Sequence, residues 1–352
     1  MILSAGSYHS VFISDSIVYK CGSDYPGSRP ILLPTRIDFP VEICSVSTGH
    51  NFSLFLDIEG NVWVSGNSLD GELGFIGAVE TPEKFVELPP IQAIQSCPSH
   101  NYSIFLDTQG NVWGCGKNDS GQLGVQPSVS TKLHKFNNIP KITSMAAGNY
   151  HVLFVDEAGN VWGCGKNTHG QLGTLEVYSS DRNARKLEGF PLPIKSVAAG
   201  RSHSLYLDVN GNVWVSGSGA SGQLGISGMS SCKQPMRVES LPTIVEIAAS
   251  GNRSALVDEN GQVWGAGSIG GQRYTVLTKL AGLENIQNIS LSEFHALYLD
   301  NDGCVWVEGL NNCGQLGLGD ELSRDEQEKN NNLPPILSKN SQNYRNKSAR
   351  KV

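Results

Sequence analysis

The segment NVWGCGKNDSGQLG at residues 111–124 returns at 160–173 as NVWGCGKNTHGQLG, with Asp119-Ser120 exchanged for Thr168-His169. Glycines, a lysine and a cysteine are residue types for two chemistries, phosphate binding and thiol reactivity. The spacing suits neither. A phosphate-cradling loop needs G-x-x-x-x-G-K-[ST] between a strand and a helix, whereas Gly116-Lys117 runs into Asn118 and more turn residues. The eight cysteines, at 21, 44, 97, 115, 164, 232, 304 and 313, form no C-x-x-C pair. Cys21, Cys115 and Cys164 share one position of a repeated frame that Ser65, Ser216, Ala266 and Glu308 occupy elsewhere. Metal ligation does not tolerate that exchange, while a tight packing site accepts small side chains. Neither a disulfide framework nor a metal site is expected, and no cofactor.

Two other series have residue types that could do chemistry. His9, His151, His203 and His295 recur at one frame position, which Phe52, Tyr102 and Arg253 fill in other copies. A ring of imidazoles can hold a metal, but replacement by Phe and Tyr favours packing or hydrogen bonding. Asp57, Asp107, Asp156, Asp208, Asp258 and Asp300 resemble an acidic set for general acid/base work. Each opens a D-x-x-G turn, where an Asp side chain accepts bonds from nearby backbone N–H groups, and turn duty is the expectation.

The elements that position these residues follow from a period. Trp63, Trp113, Trp162, Trp214, Trp264 and Trp306 each follow a valine, at gaps of 50, 49, 52, 50 and 42 residues, and Tyr19 takes the same slot 44 residues before Trp63. Seven copies at this spacing point to a propeller or solenoid. In VAAGRSHSLYLDVNGNVWVSGSGASGQLG (197–225), HSLYLD alternates as a half-buried strand and DVNG suits a type I turn. NVWVSG returns as a strand, and SGASGQLG makes a tight reversal into the next. Such a meander cannot bury both faces alone, so neighbours stack on it. The Trp/Tyr slot is then a packing anchor between sheets, where Trp→Ala typically costs roughly 3–5 kcal/mol. Connectors LPPI (88–91), IPKI (139–142), PLPI (191–194) and LPTI (241–244) follow the last glycine of each copy by 17, 18, 21 and 19 residues; LPPI at 333–336 repeats the interval after Gly317. The chain starts with ILSAGSYH, which elsewhere follows a connector, so the two ends are expected to meet and close a ring without exposed edges.

The combined pattern A-G-x-x-H-S-L, L-D-x-x-G-x-V-W-x-x-G and N-x-x-G-Q-L-G, clearest at 146–173 and 198–225, resembles the regulator of chromosome condensation repeat family. The resemblance implies an all-β, seven-bladed propeller of four-stranded antiparallel blades over residues 1–338, leaving a basic tail at 339–352. Three copies depart from the pattern. Copy one has Tyr19 for Trp, a shortened turn in ISDSIVY and GSDYPGSRP in place of GQLG. Copy six has Ser250 and Arg253 for Gly and His, with GSIGGQR out of step. Copy seven lacks the leading glycine in LSEFHALYLD.

Constant residues having structural duties, attention falls on what varies. The two residues after the glycine position differ in every copy, giving Tyr8, His50, His100, Asn149, Tyr150, Arg201, Glu293 and Phe294 as a candidate partner-binding face. By resemblance the same face carries Trp and Arg in the plant ultraviolet-B photoreceptor; no Trp stands there in this chain. The expected function is non-enzymatic: a regulatory or scaffolding propeller that binds another protein. The rival is guanine-nucleotide exchange on a Ran-type small GTPase, the activity of the family's founding member, whose inserted β-hairpin wedge finds little room in the inter-copy lengths. Regulation of a larger assembly is a third course. A net charge of −7 disfavours extensive nucleic-acid contact. No signal peptide or membrane span is evident, so a soluble, intracellular monomer, cytoplasmic or nuclear, is expected. Lys339, Arg345, Lys347, Arg350 and Lys351 make the tail basic, in keeping with a solvated end, an acidic partner or a nuclear address.

Overall fold

A computed structural model describes residues 2–23, 27–125, 129–176 and 181–336, without the side chains of 129–131 and 181. The basic segment 339–352 and part of GSDYPGSRP lie outside the described residues. Those described form seven sheets of four antiparallel strands, each sheet a continuous stretch of chain. Blades 1 to 7 span Leu3–Ile37, Ile43–Lys84, Ile91–Lys135, Ile142–Leu187, Ile194–Arg237, Ile244–Lys279 and Ile286–Lys329. In blade 5 the strands are Ile194–Ala199, His203–Asp208, Val213–Ser218 and Ser231–Arg237, running from the central channel outward. No helix among the described residues is long and apolar enough to cross a membrane.

Burial sorts the four strands. The second strand is buried at all six positions in blades 1 to 6, whereas fourth strands are mostly exposed. HSLYLD is therefore not half-buried, as alternation suggested. Both faces of this strand meet neighbouring sheets, and its polar residues point into the seams between them. The core is correspondingly a set of inter-blade clusters. One joins Tyr102, Ile104 and Phe136 of blade 3 to Met145, Val152 and Phe154 of blade 4, with Trp162 packed against it.

The turn between second and third strands explains why Asp and Trp travel together. Asp208 Oδ1 accepts from the N–H of Asn210 and Asn212, each at 2.9 Å, and Oδ2 accepts from Trp214 Nε1 at 3.1 Å. The Trp–Asp bond recurs in blades 2 to 7. Those hydrogen bonds hold Asp57, Asp107, Asp156 and Asp208 below the usual carboxylate range against the opposing effect of burial. In blade 1 both partners are gone. Tyr19 replaces Trp, and Asp15-Ser16, at φ 48° and 67°, make the two-residue turn, pairing Ser14 with Ile17.

Among the described residues a two-residue reversal after the third strand is found in blade 6 alone. In blade 5 the reversal occupies residues 219–230, with successive turns closed by Gly222 N–H to Gly219 and Gly225 N–H to Gly222. In blade 6 the out-of-step GSIGGQR is a true hairpin, with Ile269 opposite Gln272 and Gly270-Gly271 at φ 52° and 70°. Ile269 then lies over Gly265, as Leu123 lies over Gly114 and Leu172 over Gly163, so the apolar slot stays filled.

Among the described residues the ring closes by packing, without a strand shared between blades 1 and 7. Leu3, Ala5, Phe12 and Cys21 cluster with Leu297, Val305, Leu316 and Ile336. Ala5 N–H donates to Ser290 Oγ at 2.9 Å and Ser14 Oγ to the Pro335 carbonyl at 2.9 Å. Ile336 N–H bonds the Gly303 carbonyl, as Ile244 bonds Gly211 and Ile194 bonds Gly159, so the connector frame continues beyond the seventh blade.

Candidate functional site

The seams account for most residues with chemical potential. His9, His151, His203 and His295 each place Nε2 2.8–2.9 Å from a serine Oγ of the next blade: Ser53, Ser204, Ser254 and Ser10. Three of these serines in turn donate to a main-chain carbonyl of the Q-L-G motif, at Gln171, Gln223 and Gln315. A serine that spends its hydrogen on a carbonyl must accept from the imidazole, which leaves the proton of these histidines on Nε2. The His203 ring also lies so close to Gly200 that a Cβ there would come within 2.2 Å of Cε1, which is the reason for A-G-x-x-H. Burial pushes His151 and His295 down to about 3 and His203 to about 4, so all three stay neutral.

The cysteines of the shared frame position belong to the same seams. Cys21 Sγ donates to the Gln315 carbonyl at 3.3 Å and Cys115 to the Glu72 carbonyl at 3.3 Å. Burial raises both thiols, Cys21 to about 12, the opposite of what a nucleophilic thiolate needs. The repeated NVWGCGKNxxGQLG segment is thus one half of a blade-to-blade latch.

At two of the three places where the histidine is missing, its partner is missing too; behind Phe52 the serine remains, as Ser103, and donates to the Glu72 carbonyl at 2.8 Å. Tyr102 and Arg253 face Val152 and Ala296, which replace the serine of the next blade. Tyr102 instead sends its hydroxyl to the Gly148 carbonyl at 2.5 Å. Arg253 Nη2 meets Glu308 Oε1 at 2.8 Å, with side chains 4% and 0% exposed; Tyr298 Oη and Gln327 also donate to that carboxylate. Arg253 and Glu308 stand out in the sequence as separate departures. Only the fold makes them partners, and the signal available was their joint occurrence in adjacent copies.

Residues outside this latch collect around one mouth of the channel. Tyr8 lies 5.3 Å edge-on from His50 and 6.4 Å from Phe294 between ring centroids. His100 meets Tyr150 at 4.5 Å, and Lys166 Nζ sits 4.9 Å over the Tyr150 ring. Arg201, 47% exposed, pairs with Glu293 at 3.5 Å over Gly251, bridging blades 5 and 7. Asn149 does not join them. It is 4% exposed and accepts a bond from Cys97 Sγ. Burial lowers the pKa of His50 and His100 and raises that of Tyr8.

Blade 3 departs from the others at this mouth. Residues 97–101 join its first two strands where 148–150 suffice in blade 4. The insertion escaped the reading of His100-Asn101, although Ile91 to Tyr102 spans two residues more than Ile43 to Phe52. Pro98 reaches across, its carbonyl 2.5 Å from Ser7 Oγ of blade 1. Ser7 also contacts His50 Nδ1 at 2.8 Å, a serine–histidine contact of the type used in nucleophilic catalysis. Here the serine is fully buried with a carbonyl against its oxygen, so the contact ties loops together and leaves no space for an acyl group. Among the described residues no group of three or more His, Cys, Asp or Glu is placed to hold a metal ion.

A family model of the regulator of chromosome condensation (RCC1) repeat matches residues 109–155, 158–207 and 210–257, and a second model of the repeat matches 142–171, 194–223 and 286–315. The chain belongs to the RCC1 repeat family. Its RCC1 fold is similar to that of human WBSCR16, at a TM-score of 0.78 and 21% identity over 87% of each chain. It is equally similar to yeast RCC1 (Prp20) bound to Kap60, at a TM-score of 0.78 and 19% identity over 100% of this chain and 96% of that one. A second structure, of Prp20p from Saccharomyces cerevisiae, whose binding to Gsp1p and histones is described with it, gives 0.76 and 20% over 100% and 97%. A search of curated protein sequences finds no match.

Proposed function

We propose that this RCC1-repeat propeller is a non-enzymatic interaction module that binds another protein through the channel mouth carrying Tyr8, His50, His100, Tyr150, Arg201, Glu293 and Phe294. One observation carries the reading. Aromatic and charged side chains from six blades converge there, half-buried or exposed, while the polar residues the blades share are engaged in seams and turns. Rigid loops presenting aromatics and an arginine are the composition of a protein-binding centre. Replacing Tyr150, Arg201 and Glu293 together by Ala is expected to abolish partner recovery on affinity capture while leaving Tm within about 2 °C, since surface changes usually stay near ±0.5 kcal/mol. Unchanged recovery would exclude this face.

A second reading is guanine-nucleotide exchange on a small GTPase. Its support is the fold likeness to Prp20p, a protein described as binding Gsp1p. Against it, every strand among the described residues is used in the seven blades, with no extra hairpin to serve as a wedge. Acceleration of labelled GDP release from a Ran-type GTPase by orders of magnitude would replace the first reading with the second.

A further inference from the structure

The channel holds a cavity of about 280 Å³ with two unlike walls. On one side are hydroxyls that satisfy each other, Ser4 with Thr48 at 2.7 Å and Ser47 with Ser96 at 2.8 Å. On the other are alanines of blades 4 to 6, including Ala147, Ala199 and Ala248. Among the described residues a single ionisable one, Glu246, lines the cavity, and no lysine or arginine does. The equivalent place in other blades holds Ser45, Ala93, Ser144 and Ser196, so the carboxylate is a feature of this blade and not of the frame.

Glu246 is half satisfied. Its Oε1 accepts from Asn288 Nδ2 at 2.9 Å and Ile289 N–H at 3.2 Å, while Oε2 accepts nothing from the described residues. Asn288, having turned its amide nitrogen to the carboxylate, leaves Oδ1 buried without a partner. Burial also pushes the Glu246 carboxyl up to about 7, the mark of an acid lacking a counter-charge. A buried acceptor with no donor is costly, and an anion more so. The unbonded Oε2 of Glu246 open to the channel, beside an alanine wall and with no cation among the lining residues, asks for a ligand with N–H donors, a positive charge and a short apolar chain.

We propose that the central channel is a binding site for a small primary alkylammonium ligand, its ammonium on Glu246 and its alkyl chain along Ala147, Ala199 and Ala248. The site is independent of the channel-mouth face. The class follows from the walls: a bare metal ion would find too few oxygens, and an anion would meet the carboxylate.

The experiment is calorimetric titration of the whole chain with n-pentylamine hydrochloride, alongside pentan-1-ol and pentanoate. A ligand of six heavy atoms is expected to bind one-to-one with Kd on the order of 1 mM. Pentanol should bind at least tenfold more weakly, and pentanoate not at all. Glu246→Gln keeps the shape and removes the charge, and should lose at least tenfold in affinity for the amine while unfolding at no lower temperature than the parent. Ala248→Leu, which fills the apolar wall, should lose it as well with Glu246 intact. Absence of saturable binding, equal binding of the amine to parent and Glu246→Gln, or equal binding of amine and pentanol would each overturn the proposal.

Discussion

The seam between blades 4 and 5 and the seam between blades 6 and 7 occupy equivalent places in the ring and are held by different chemistry. In the first, neutral His151 donates to Ser204, which donates to the Gln171 carbonyl. In the second, Arg253 and Glu308 meet as a buried ion pair, with Ala296 where the serine would be. The first is a relay of neutral hydrogen bonds from imidazole Nε2 to hydroxyl to carbonyl, with His151 Nδ1 left without a partner among the described residues. The second concentrates the same task in one charged contact, whose attraction must offset the desolvation of both ions. The difference shows that the frame demands a polar tie across the seam and not a particular residue. At Tyr102 and Arg253 the facing position departs as well, to Val152 and Ala296, whereas behind Phe52 the serine stays and ties the seam through the Glu72 carbonyl alone.

The comparison breaks most visibly at the charged seam. Glu308→Ala strands Arg253 in the core and removes the acceptor of Tyr298 Oη, which is expected to cost about 3–5 kcal/mol in urea unfolding. Rebuilding the other type of seam with Arg253→His, Ala296→Ser and Glu308→Ser should bring stability back to within about 1.5 kcal/mol of the parent, because no unpaired charge remains. A cost for Glu308→Ala below about 1 kcal/mol would mean that the pair is not desolvated as its burial indicates.

The neutral seams answer to pH. His151 is held near 3 in the fold and rises to about 6.5 on unfolding, so below 6.5 the unfolded chain binds the extra proton. Stability supplied by this residue is complete above that pH and is lost as pH falls toward 3, at about 1.4 kcal/mol per unit. His203 and His295 add in the same window, whereas the turn aspartates act only below about 3.8. His151→Phe, which copies the natural Phe52, should therefore be less stable than the parent at pH 7.5. By pH 5 it should have regained roughly 2 kcal/mol relative to it. Parallel pH–stability curves for the two proteins would show that His151 is already accessible to protons in the fold.

These contrasts also mark what the sequence made legible. The seven-fold period, the recurring slot of the tryptophans and the turn role of Asp208 and its equivalents are local or periodic, so spacing along the chain reveals them. The seams are neither. His151 and Ser204 lie 53 residues apart and Arg253 and Glu308 lie 55, and nothing local to either residue names its partner. The alternation of HSLYLD suggested one wet face because its polar residues were counted as solvated. In the fold, His203 and Ser204 are buried and hydrogen-bonded to neighbouring blades. Glu246 escaped notice for the same reason, since a single carboxylate in an inner strand gains meaning only when seven such strands enclose a cavity.

The smallest expected effect tests whether ties within a blade are weaker than ties between blades. Trp214→Phe keeps an aromatic ring in the anchor slot and deletes the bond from Nε1 to Asp208 Oδ2. The carboxylate still accepts from the N–H groups of Asn210 and Asn212 and from Asn212 Nδ2, so it is left with three donors and is not stranded. A loss of about 1 kcal/mol is expected in urea unfolding, against about 3–5 for Glu308→Ala. Blade 1 already lives without this bond, having lost Trp and Asp together, which argues that the contribution is one of degree. A cost for Trp214→Phe equal to that of Glu308→Ala would reverse the ranking and place the structural weight of the ring on its turns.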